Sequence, residues 1–432
     1  TGATQLAELL TRARASQMRN IPSEPQRRGD LRRLRRAVVN PTEALVAAVS
    51  ADFSGRSRHE TLFAEISMVL HDIDILLGEL RSWVRPRRVA VDWKFLPARA
   101  EIWQQPLGVI GILSPWNYPL SLALMPLAAA IAAGNHVLLK PSEHTPQTSK
   151  ALAELLADVF PSERVSVVLG GPEVAQAFSA LAFDHLFFTG STQVGRQVMR
   201  AAAEHLTPVT LELGGKSPAV IAPEVNLARA VERIAAMKFI NAGQTCIAPD
   251  YVLTPVGTEN RVAEALMAEI RKAFPDPNTS ADYTSIINEQ QFDRLERWLT
   301  DAESRGAIVH RHGTNDRARR RFAPTVVLQT PDHSELLHEE IFGPILPIVS
   351  YNQFDDALQY VRSRPRPLAY YQFDLDRKRI DYALTRIVAG GVCINDIALH
   401  FAQPELPFGG VGPSGMGHYH GKHGLQTFSK AM

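Results

Sequence analysis

Apolar residues follow two different spacings along the chain. From residue 6 to about residue 83 they recur every three or four positions, as at Leu31, Leu34 and Val38, which predicts packed helices. From Gly108 onward, short continuous apolar runs alternate with helix-length segments. The runs predict strands at 109–113, 137–139, 165–169, 185–188 and 209–213, separated by helices at 120–133, 148–159 and 193–205. Apolar strands alternating with helices are typical of a parallel sheet with both faces covered.

A second α/β stretch and two less regular segments complete the chain. The second stretch spans about 217–392 and includes predicted helices at 227–239 and 290–305. Residues 88–96 and 100–104 alternate in polarity like two strands joined by a turn at Pro97, which predicts a projecting hairpin. The tail, 393–432, is rich in Gly, Pro and His and predicts loops with one short strand at 426–428. The predicted fold class is α/β, with parallel sheets and a small β-hairpin.

Composition narrows the class of protein. A chain of 432 residues is long enough for more than one hydrophobic core. Lys and Arg total 46 against 45 for Asp and Glu, so we expect no nucleic-acid partner, and the basic runs at 27–36 and 317–321 are interpreted as solvated helix faces. Two cysteines cannot form a disulfide framework, and the longest apolar run, 120–133, is too short for a bilayer. We expect a cytoplasmic protein without a membrane partner.

Polar loops follow the carboxyl ends of the predicted strands, where ligands of parallel sheets bind. These loops cover 114–118, 140–143, 189–191 and 212–216. A further polar stretch, 241–250, carries Cys246 directly after Gly243, Gln244 and Thr245. A cysteine in such surroundings is either a reactive thiol at a break in helical periodicity or a half-buried structural residue. This stretch alone does not distinguish between the two interpretations of Cys246.

Six short motifs, in a fixed order, are more specific than any one of these loops. They are Pro-Trp-Asn-Tyr-Pro (115–119), Lys-Pro-Ser-Glu (140–143), Phe-Thr-Gly-Ser (188–191), Glu-Leu-Gly-Gly-Lys-Ser-Pro (212–218), Asn-Ala-Gly-Gln-Thr-Cys (241–246) and Glu-Glu-Ile-Phe-Gly-Pro (339–344). Their order resembles the aldehyde dehydrogenase superfamily over nearly the whole chain. The tail sequence 406–421 resembles the class 3 branch, and within it the bacterial coniferyl aldehyde dehydrogenases.

The resemblance implies three catalytic residues. Cys246 would add to the aldehyde carbon as a thiolate, giving a thiohemiacetal from which hydride leaves. The Asn117 side-chain amide and the Cys246 N–H would bind the oxyanion, and Glu212 would activate the water that releases the acid. Judged by its own position alone, Asn117 would be interpreted as a turn residue and Glu212 as an exposed glutamate at a strand end.

The resemblance also implies a site for NAD, with NADP as an alternative. The Gly-x-Gly-x-x-Gly at 410–415 follows no predicted strand and opens no predicted helix, so it is rejected as a dinucleotide fingerprint. The implied cofactor residues are Gly190, Ser191 and Gly195 at the phosphates, Lys140 and Glu143 at the adenosine ribose, and Glu340 and Phe342 at the nicotinamide ribose and ring. Outside this context, Glu340 would be a loop carboxylate and Phe342 a core side chain.

The family pattern divides the chain into three parts and implies a homodimer. The parts are a dinucleotide-binding domain (1–83 and 106–213), a catalytic domain (214–392), and an oligomerisation hairpin with the C-terminal tail (84–105 and 393–432). The stretches 222–225 and 367–373 look slightly shorter than the family pattern, either because their loops are trimmed or because residues are missing from the sequence there. His418, His420 and His423 lack neighbouring carboxylates or cysteines, so we expect no metal there.

The substrate is expected to be a small aldehyde. Tyr118, Ile397 and Phe401 would line an aromatic funnel that suits an aldehyde such as coniferaldehyde. The alternatives are a general class 3 aldehyde dehydrogenase, a relative that passes the acyl group to coenzyme A, and a non-catalytic binding protein. The presence of Glu212 argues against the coenzyme A relative, which would lack this base.

Overall fold

The computed structural model describes residues 2–432, and its first part is helical. The helices are α1 (Ala3–Arg19), α2 (Glu24–Val39), α3 (Thr42–Phe53), α4 (Arg58–Thr61) and α5 (Ser67–Val84), with a π-helical turn at Leu62–Ile66 between the last two. The apolar positions that predicted these helices, including Leu31 and Leu34, are fully buried.

The basic run on α2 is not uniformly solvated. Arg32, Arg33 and Arg36 are exposed, as expected. Arg27, however, is only 8% exposed, and its guanidinium donates to the carbonyls of Pro22 (2.8 Å) and Ala132 (3.3 Å). The interpretation as a solvated face is therefore wrong for Arg27, because this side chain lies on the inner face of the helix and satisfies two buried carbonyl groups.

Three short strands follow the helices: β1 (Arg87–Val89), β2 (Ala100–Ile102) and β3 (Gln104–Pro106). β1 and β2 pair antiparallel, so the predicted hairpin is present. Its first strand was predicted to reach residue 96, which is wrong, because Trp93–Phe95 forms a 3₁₀ turn. The Asp92 side chain accepts from the Lys94 N–H at 3.0 Å, and this local bond stabilises a turn in place of an extended strand.

The first large sheet follows the alternation of strands and helices in the sequence. Its parallel strands are β4 (Val109–Leu113), β5 (His136–Lys140), β6 (Val165–Val167), β7 (His185–Thr189) and β8 (Val209–Glu212), connected through α6 (Ser121–Ala133), α7 (Pro146–Val159), α8 (Pro172–Ser179) and α9 (Thr192–Ala203). Their order across the sheet is β8-β7-β4-β5-β6. Helix α6 is buried on every side, as expected for a helix that is apolar all round.

The second large sheet has seven strands. They are β9 (Pro218–Ile221), β10 (Tyr251–Pro255), β11 (Ile308–Arg311), β12 (Thr325–Leu328), β13 (Ile345–Tyr351), β14 (Ala369–Phe373) and β15 (Gly391–Ile394), in the order β11-β12-β13-β10-β9-β14-β15. All pairings are parallel except that of β11 with β12. The helices are α10 (Leu227–Phe239), α11 (Glu259–Ala273), α12 (Glu289–Ser304), α13 (Glu335–His338), α14 (Phe354–Arg362) and α15 (Arg377–Leu384). In the stretch 367–373, residues 369–373 form the fully buried strand β14, and whether the stretch is shorter than in relatives stays a prediction.

The C-terminal tail returns to the first sheet and to the hairpin. It contains β16 (Gly415–Met416), α16 (Gly421–Thr427) and β17 (Ser429–Ala431). β16 pairs antiparallel with β8, and β17 pairs with β3. The strand predicted at 426–428 is wrong, because Leu425 and Phe428 are both buried at a spacing that suits a helix. None of the helices within residues 2–432 combines the length and the hydrophobicity that crossing a membrane requires.

Candidate active site

Four strands of the first sheet end beside predicted site residues. Lys140 is the last residue of β5 and Glu212 the last of β8, while Gly190 follows β7 directly and Asn117 follows β4 after a short loop. Because these strands run parallel, their carboxyl ends share one edge of the sheet. The fold thus brings polar groups from distant parts of the sequence to a single edge.

Cys246 follows a sharp turn after helix α10. Asn241 and Ala242 have left-handed backbones (φ 51° and 50°), and Gly243 follows with φ 74°. A side chain at Gly243 would collide with the Gly343 carbonyl oxygen, so this crossing of two loops requires glycine. The break in helical periodicity predicted before Cys246 is present, and the cysteine itself is partly buried.

Gln244 fixes this turn from within. Its side-chain amide donates to the carbonyls of Asn241 (3.0 Å) and Ser285 (3.1 Å), and its side-chain oxygen accepts from the Ile287 N–H (2.9 Å). Gln244 is fully buried, so these bonds are shielded from water and hold the turn rigidly. The cysteine is presented from a preorganised segment rather than from a mobile loop.

Asn117 is joined directly to the cysteine segment. Its side-chain amide donates to the Gln244 carbonyl at 3.1 Å, and its own carbonyl accepts from the Asn241 side chain at 3.0 Å. The neighbouring Tyr118 hydroxyl lies 2.7 Å from the Thr245 hydroxyl. An amide NH₂ carries two hydrogens, so a second N–H of Asn117 remains for a ligand oxygen. The two predicted oxyanion donors therefore lie on adjacent, connected loops.

The Cys246 thiol shares its surroundings with two carboxyl groups. Burial raises the pKa of Cys246 to about 12, and the charges of Glu340 and Glu212 raise it further in the same direction. Burial also raises the pKa of Glu212 well above its ordinary value and that of Glu340 to about 8. A buried carboxylate with a raised pKa is a stronger base than one in water. A carboxylate in this site can thus act as a base toward a water molecule.

Glu212 is available for such a role. It is 4% exposed, and within the part of the chain that the structure describes neither carboxyl oxygen has a hydrogen-bond partner. Buried carboxyl groups are normally satisfied, and an exception calls for an explanation. A substrate water would supply the missing partner.

A buried clamp holds the segment that carries Glu340. The Lys216 ammonium pairs with Asp250 and donates to the carbonyls of Leu336 (2.9 Å) and Glu339 (2.8 Å). Asp250 in turn accepts from the Ile341 N–H at 3.1 Å. No local sequence pattern predicts this role for Lys216 or Asp250, since the partners of Lys216 are up to 123 residues away in the chain.

The segment after β7 has the features of a phosphate site. Ser191 is the N-cap of the twelve-residue helix α9, and its hydroxyl accepts from the Val194 N–H at 3.3 Å. Gly195 packs so closely on Leu213 that no side chain would fit, which brings the helix start against the end of β8. The first N–H groups of a helix and its dipole favour an anion there. These residues fit a dinucleotide pyrophosphate.

Lys140 and Glu143 form an ion pair at the end of β5. The distance is 3.1 Å, with Lys140 buried and the Glu143 side chain 32% exposed. Partial burial opposes ionisation of Glu143, but a backbone hydrogen bond and Lys140 outweigh it and lower the pKa. The predicted ribose site therefore presents an ionised carboxylate next to an ammonium group.

Phe342 lies against the loop that follows β4. Its backbone is left-handed (φ 48°), and its ring contacts the Trp116 ring edge-on, with centroids 5.3 Å apart. The Glu340 carboxyl packs directly over Gly214, where a side chain would collide with it. Trp116 was not among the predicted residues, although it belongs to the same motif as Asn117.

The three predicted substrate-pocket residues lie on two separate loops. Tyr118 is nearly buried beside the cysteine segment, whereas Ile397 and Phe401 lie on the loop after β15. The Phe401 ring packs against Phe408 (4.8 Å) and His420 (4.7 Å), and among the described residues it has no ring contact with Tyr118. A continuous funnel between these two loops stays a prediction.

The histidines of the tail do not converge. His418 and His423 have ring centroids 5.3 Å apart, while the His420 ring is buried and stacks on Phe408. In residues 2–432, no group of three His, Cys, Asp or Glu side chains is arranged to hold a metal ion.

Comparison with known proteins identifies the family. The model of the aldehyde dehydrogenase family matches residues 1–432. The chain is 49% identical over 428 residues to the "Probable coniferyl aldehyde dehydrogenase" of Pseudomonas aeruginosa, covering 99% of this chain and 90% of that protein. It is 45% identical over 439 residues to the "Coniferyl aldehyde dehydrogenase" of another Pseudomonas strain, covering 100% and 90%.

Solved structures show the same fold. A substrate-bound Staphylococcus aureus AldH structure superposes with a TM-score of 0.95 at 36% identity, covering 98% of this chain and 92% of that one. A Mycobacterium tuberculosis aldehyde dehydrogenase complexed with NAD⁺ gives a TM-score of 0.90 at 29% identity, covering 100% and 90%. The predicted α/β fold class and the family resemblance are both confirmed. The chain therefore belongs to the aldehyde dehydrogenase family and is an oxidoreductase that acts on aldehydes.

Proposed function

We propose that the protein oxidises an aromatic aldehyde such as coniferaldehyde to the free carboxylic acid, with Cys246 as the nucleophile and NAD⁺ as the hydride acceptor. The observation that carries this proposal is the grouping of the Cys246 thiol with the carboxyl groups of Glu212 and Glu340, on a segment bonded to Asn117. The printed names of the two Pseudomonas relatives support the aromatic substrate.

The first half of the reaction forms the acyl-enzyme. The Cys246 thiol releases its proton to solvent, and its sulfur bonds to the aldehyde carbon while the carbonyl π electrons move to oxygen. The free N–H of Asn117 and the backbone N–H of Cys246 bind this oxyanion. Bound NAD⁺ would supply the acceptor for the hydride and its electron pair. The C=O bond then reforms, and a thioester on Cys246 remains.

The second half releases the acid. The carboxylate of Glu212 takes a proton from water, and the resulting hydroxide oxygen bonds to the thioester carbon. The C–S bond then breaks, and its electron pair returns to the sulfur of Cys246. The unpartnered, buried oxygens of Glu212 support this role, because a water molecule bound there would satisfy them. The product is a free acid rather than a coenzyme A ester.

The cofactor preference follows from the charge at the adenosine ribose. Glu143 is ionised beside Lys140, and a carboxylate repels the 2′-phosphate that distinguishes NADP from NAD. The N-cap at Ser191 would hold the pyrophosphate. We expect NADP to bind more weakly than NAD. The positive charge of Lys140 partly offsets the negative charge of Glu143 and should reduce the difference in affinity.

We further propose a homodimer built on the hairpin. The hairpin and the strand that follows it expose Trp93, Phe95, Leu96 and Trp103, each at least 47% accessible. Large apolar side chains grouped on a surface favour association. The pairing of β17 with β3 attaches the tail to the same surface.

The test follows NADH formation with coniferaldehyde in the wild type, Cys246→Ala and Glu212→Gln. The wild type should turn over continuously, Cys246→Ala should be inactive, and Glu212→Gln should form about one NADH per active site and then stall. Cys393→Ser and Glu339→Gln are matched controls away from the reacting groups and should retain turnover. A silent wild type across a panel of aldehydes would contradict the catalytic proposal. Activity confined to short aliphatic aldehydes would contradict the aromatic substrate alone.

A further inference from the structure

A cluster of buried charges lies behind the candidate oxyanion site. Arg56 Nη1 is 3.0 Å from Glu65 Oε1, and both side chains are 0% exposed. Both residues lie in the short segment between α3 and α5. None of the predicted site residues lies in this segment. Burying two charges is costly unless they are well paired, so this pair calls for a reason beyond stability.

Arg56 contacts both Asn117 and Tyr118. Its Nη1 donates to the Asn117 carbonyl at 3.0 Å, and its guanidinium lies 4.8 Å from the centre of the Tyr118 ring and 5.0 Å from that of Phe53. The Asn117 carbonyl thus accepts from two buried donors, Arg56 and Asn241. These bonds determine how the Asn117 peptide is oriented and, with it, where the side-chain amide points.

Glu65 holds the other end of the same loop. Its Oε2 accepts from the N–H groups of Leu120 (2.6 Å) and Ser121 (3.2 Å), at the start of helix α6. Burial raises the pKa of Glu65, while Arg56 and these two N–H groups oppose the rise. Since one oxygen faces a guanidinium and the other accepts twice, the group acts as a carboxylate. Glu65 lies in the π-helical turn, a geometry often found at functional sites.

Glu60 connects this segment to the loop that carries Cys246. Its Oε2 accepts from the Asn241 N–H at 3.0 Å and from the Thr284 hydroxyl at 2.8 Å. Asn241 is the left-handed residue that also donates to the Asn117 carbonyl. One stretch of ten residues, from Arg56 to Glu65, therefore bonds to both loops that carry the oxyanion donors.

The remaining nitrogens of Arg56 indicate that the residue is not optimised for stability. Among the described residues, Nε and Nη2 have no hydrogen-bond partner. Unsatisfied buried donors cost free energy, and an apolar residue would avoid that cost. An arginine is suited to this place because its planar fork pairs with Glu65, bonds to a carbonyl and stacks on an aromatic ring at once.

We propose that Arg56, held by Glu65, is a positioning residue that aims the Asn117 amide at the substrate oxyanion. The proposal rests on the proposed role of Asn117 as oxyanion donor. Arg56 itself does not touch the substrate in this account, and it acts through the backbone of Asn117. A shift of about 1 Å in a positioned catalytic group can cost about 100-fold in rate, so even a conservative change at Arg56 should be visible.

The test compares two reactions of the same thiol in Arg56→Lys, Glu65→Gln and wild type. Pre-steady-state NADH formation from an aldehyde requires the oxyanion donors, whereas alkylation of Cys246 by iodoacetamide forms no oxyanion. We expect Arg56→Lys to slow the aldehyde reaction by about 10- to 100-fold and to leave the alkylation rate within about twofold. Lysine keeps the positive charge of Arg56. Glu65→Gln keeps the shape of the side chain and should lower the ratio of the aldehyde reaction rate to the alkylation rate, as Arg56→Lys does.

Arg164 supplies a matched control. It forms a comparably buried ion pair with Asp30 at 3.2 Å and donates to the Asn135 carbonyl at 2.6 Å, away from the cysteine segment. Arg164→Lys should lower the unfolding temperature like Arg56→Lys but leave the ratio of the two reaction rates unchanged. Equal effects of both arginine variants on the ratio, or parallel losses of alkylation and aldehyde oxidation in Arg56→Lys, would overturn the proposal.

Asn117→Ala separates this proposal from the proposed function. If Asn117→Ala slows the aldehyde reaction and Arg56→Lys does not, the positioning role is wrong while the oxyanion role of Asn117 stands. If Asn117→Ala leaves the aldehyde reaction unchanged, the oxyanion role itself is wrong, and the positioning role falls with it. If both variants slow the reaction with alkylation intact, both proposals are supported.

Discussion

The side-chain amide of Asn117 donates to the main-chain carbonyl of Gln244 at 3.1 Å. The two residues lie 127 positions apart in the chain, one after a strand of the first sheet and the other two positions before Cys246. This bond joins the two loops on which the proposed oxyanion donors lie. The relative position of the donors is thus fixed before a substrate arrives, as electrostatic preorganisation requires.

Asn117→Ala should lower kcat by about 100- to 1000-fold, because it removes one donor to the oxyanion. The affinity for NAD should stay within about twofold, since Asn117 is not among the proposed cofactor residues. Steady-state kinetics with NAD titration by fluorescence measures both quantities. Asn278→Ala, a change at a surface residue, is the control, and a loss below tenfold for Asn117→Ala would contradict the role.

Glu340→Gln should make the Cys246 thiol more reactive toward iodoacetamide in the absence of cofactor. The negative charge of Glu340 contributes to the raised pKa of Cys246, and its own pKa is about 8, so the effect should appear above that pH. Removal of the charge lowers the pKa of the thiol and increases the thiolate fraction. Glu339→Gln, at an exposed neighbour, should have no effect. Slower alkylation in Glu340→Gln would contradict the assignment.

Asp72→Asn should stabilise the protein more at pH 8 than at pH 5. Burial raises the pKa of Asp72 to about 7, so the folded state binds a proton that the unfolded state has already released. The stability contribution is therefore present below the unfolded pKa, near 4, and is lost as pH rises through about 7. Urea unfolding at the two pH values measures the difference, with the exposed Glu79→Gln as control. An equal effect at both pH values would contradict the linkage.

Lys216→Met should destabilise the fold and loosen the Glu340 segment. Asp250 would be left as an unpaired buried charge, which typically costs about 3–5 kcal/mol. The exposed pair of Lys272 and Glu269 is the comparison, and Lys272→Met should cost no more than about 1 kcal/mol. Denaturant unfolding measures both. Similar losses in the free energy of unfolding for the two variants would show that the Lys216 clamp stabilises the fold no more than an exposed ion pair does.

Glu143→Gln should raise the kcat/KM for NADP relative to that for NAD. The neutral side chain removes the repulsion of the 2′-phosphate while it keeps a hydrogen-bonding group at the ribose. Glu154→Gln, at an exposed residue of helix α7, is the control for the loss of a negative charge nearby. An unchanged ratio in Glu143→Gln would contradict the proposed place of the adenosine ribose.

The sequence allowed prediction of the strand ends and of the polar residues on them. The continuous apolar runs of β4, β5, β7 and β8 have a period that only a buried strand satisfies, and parallel pairing brings their carboxyl ends together. The positions of Lys140 and Glu212 at strand ends were predictable for that reason. The roles of these residues rest on the family motifs and stay predictions.

The supporting residues were not predictable in the same way. Arg56 and Glu65 lie in the segment between α3 and α5 and contact a loop more than 50 residues away, and such pairings leave no periodic signal. The strand predicted at 426–428 failed because Gly421–Thr427 packs as a helix against α6, where Gly424 lies close to Ala129. Tertiary packing overrode the local pattern in both cases.

The most direct test of the proposed reaction is the mass of Glu212→Gln after mixing with coniferaldehyde and NAD⁺. The account predicts a single adduct on Cys246 equal to the aldehyde minus two hydrogens, which is the mass of a thioester trapped before hydrolysis. The same adduct should be absent from the variant that also carries Cys246→Ala. An adduct with the full mass of the aldehyde, an adduct on another residue, or no adduct with continued turnover would contradict the account.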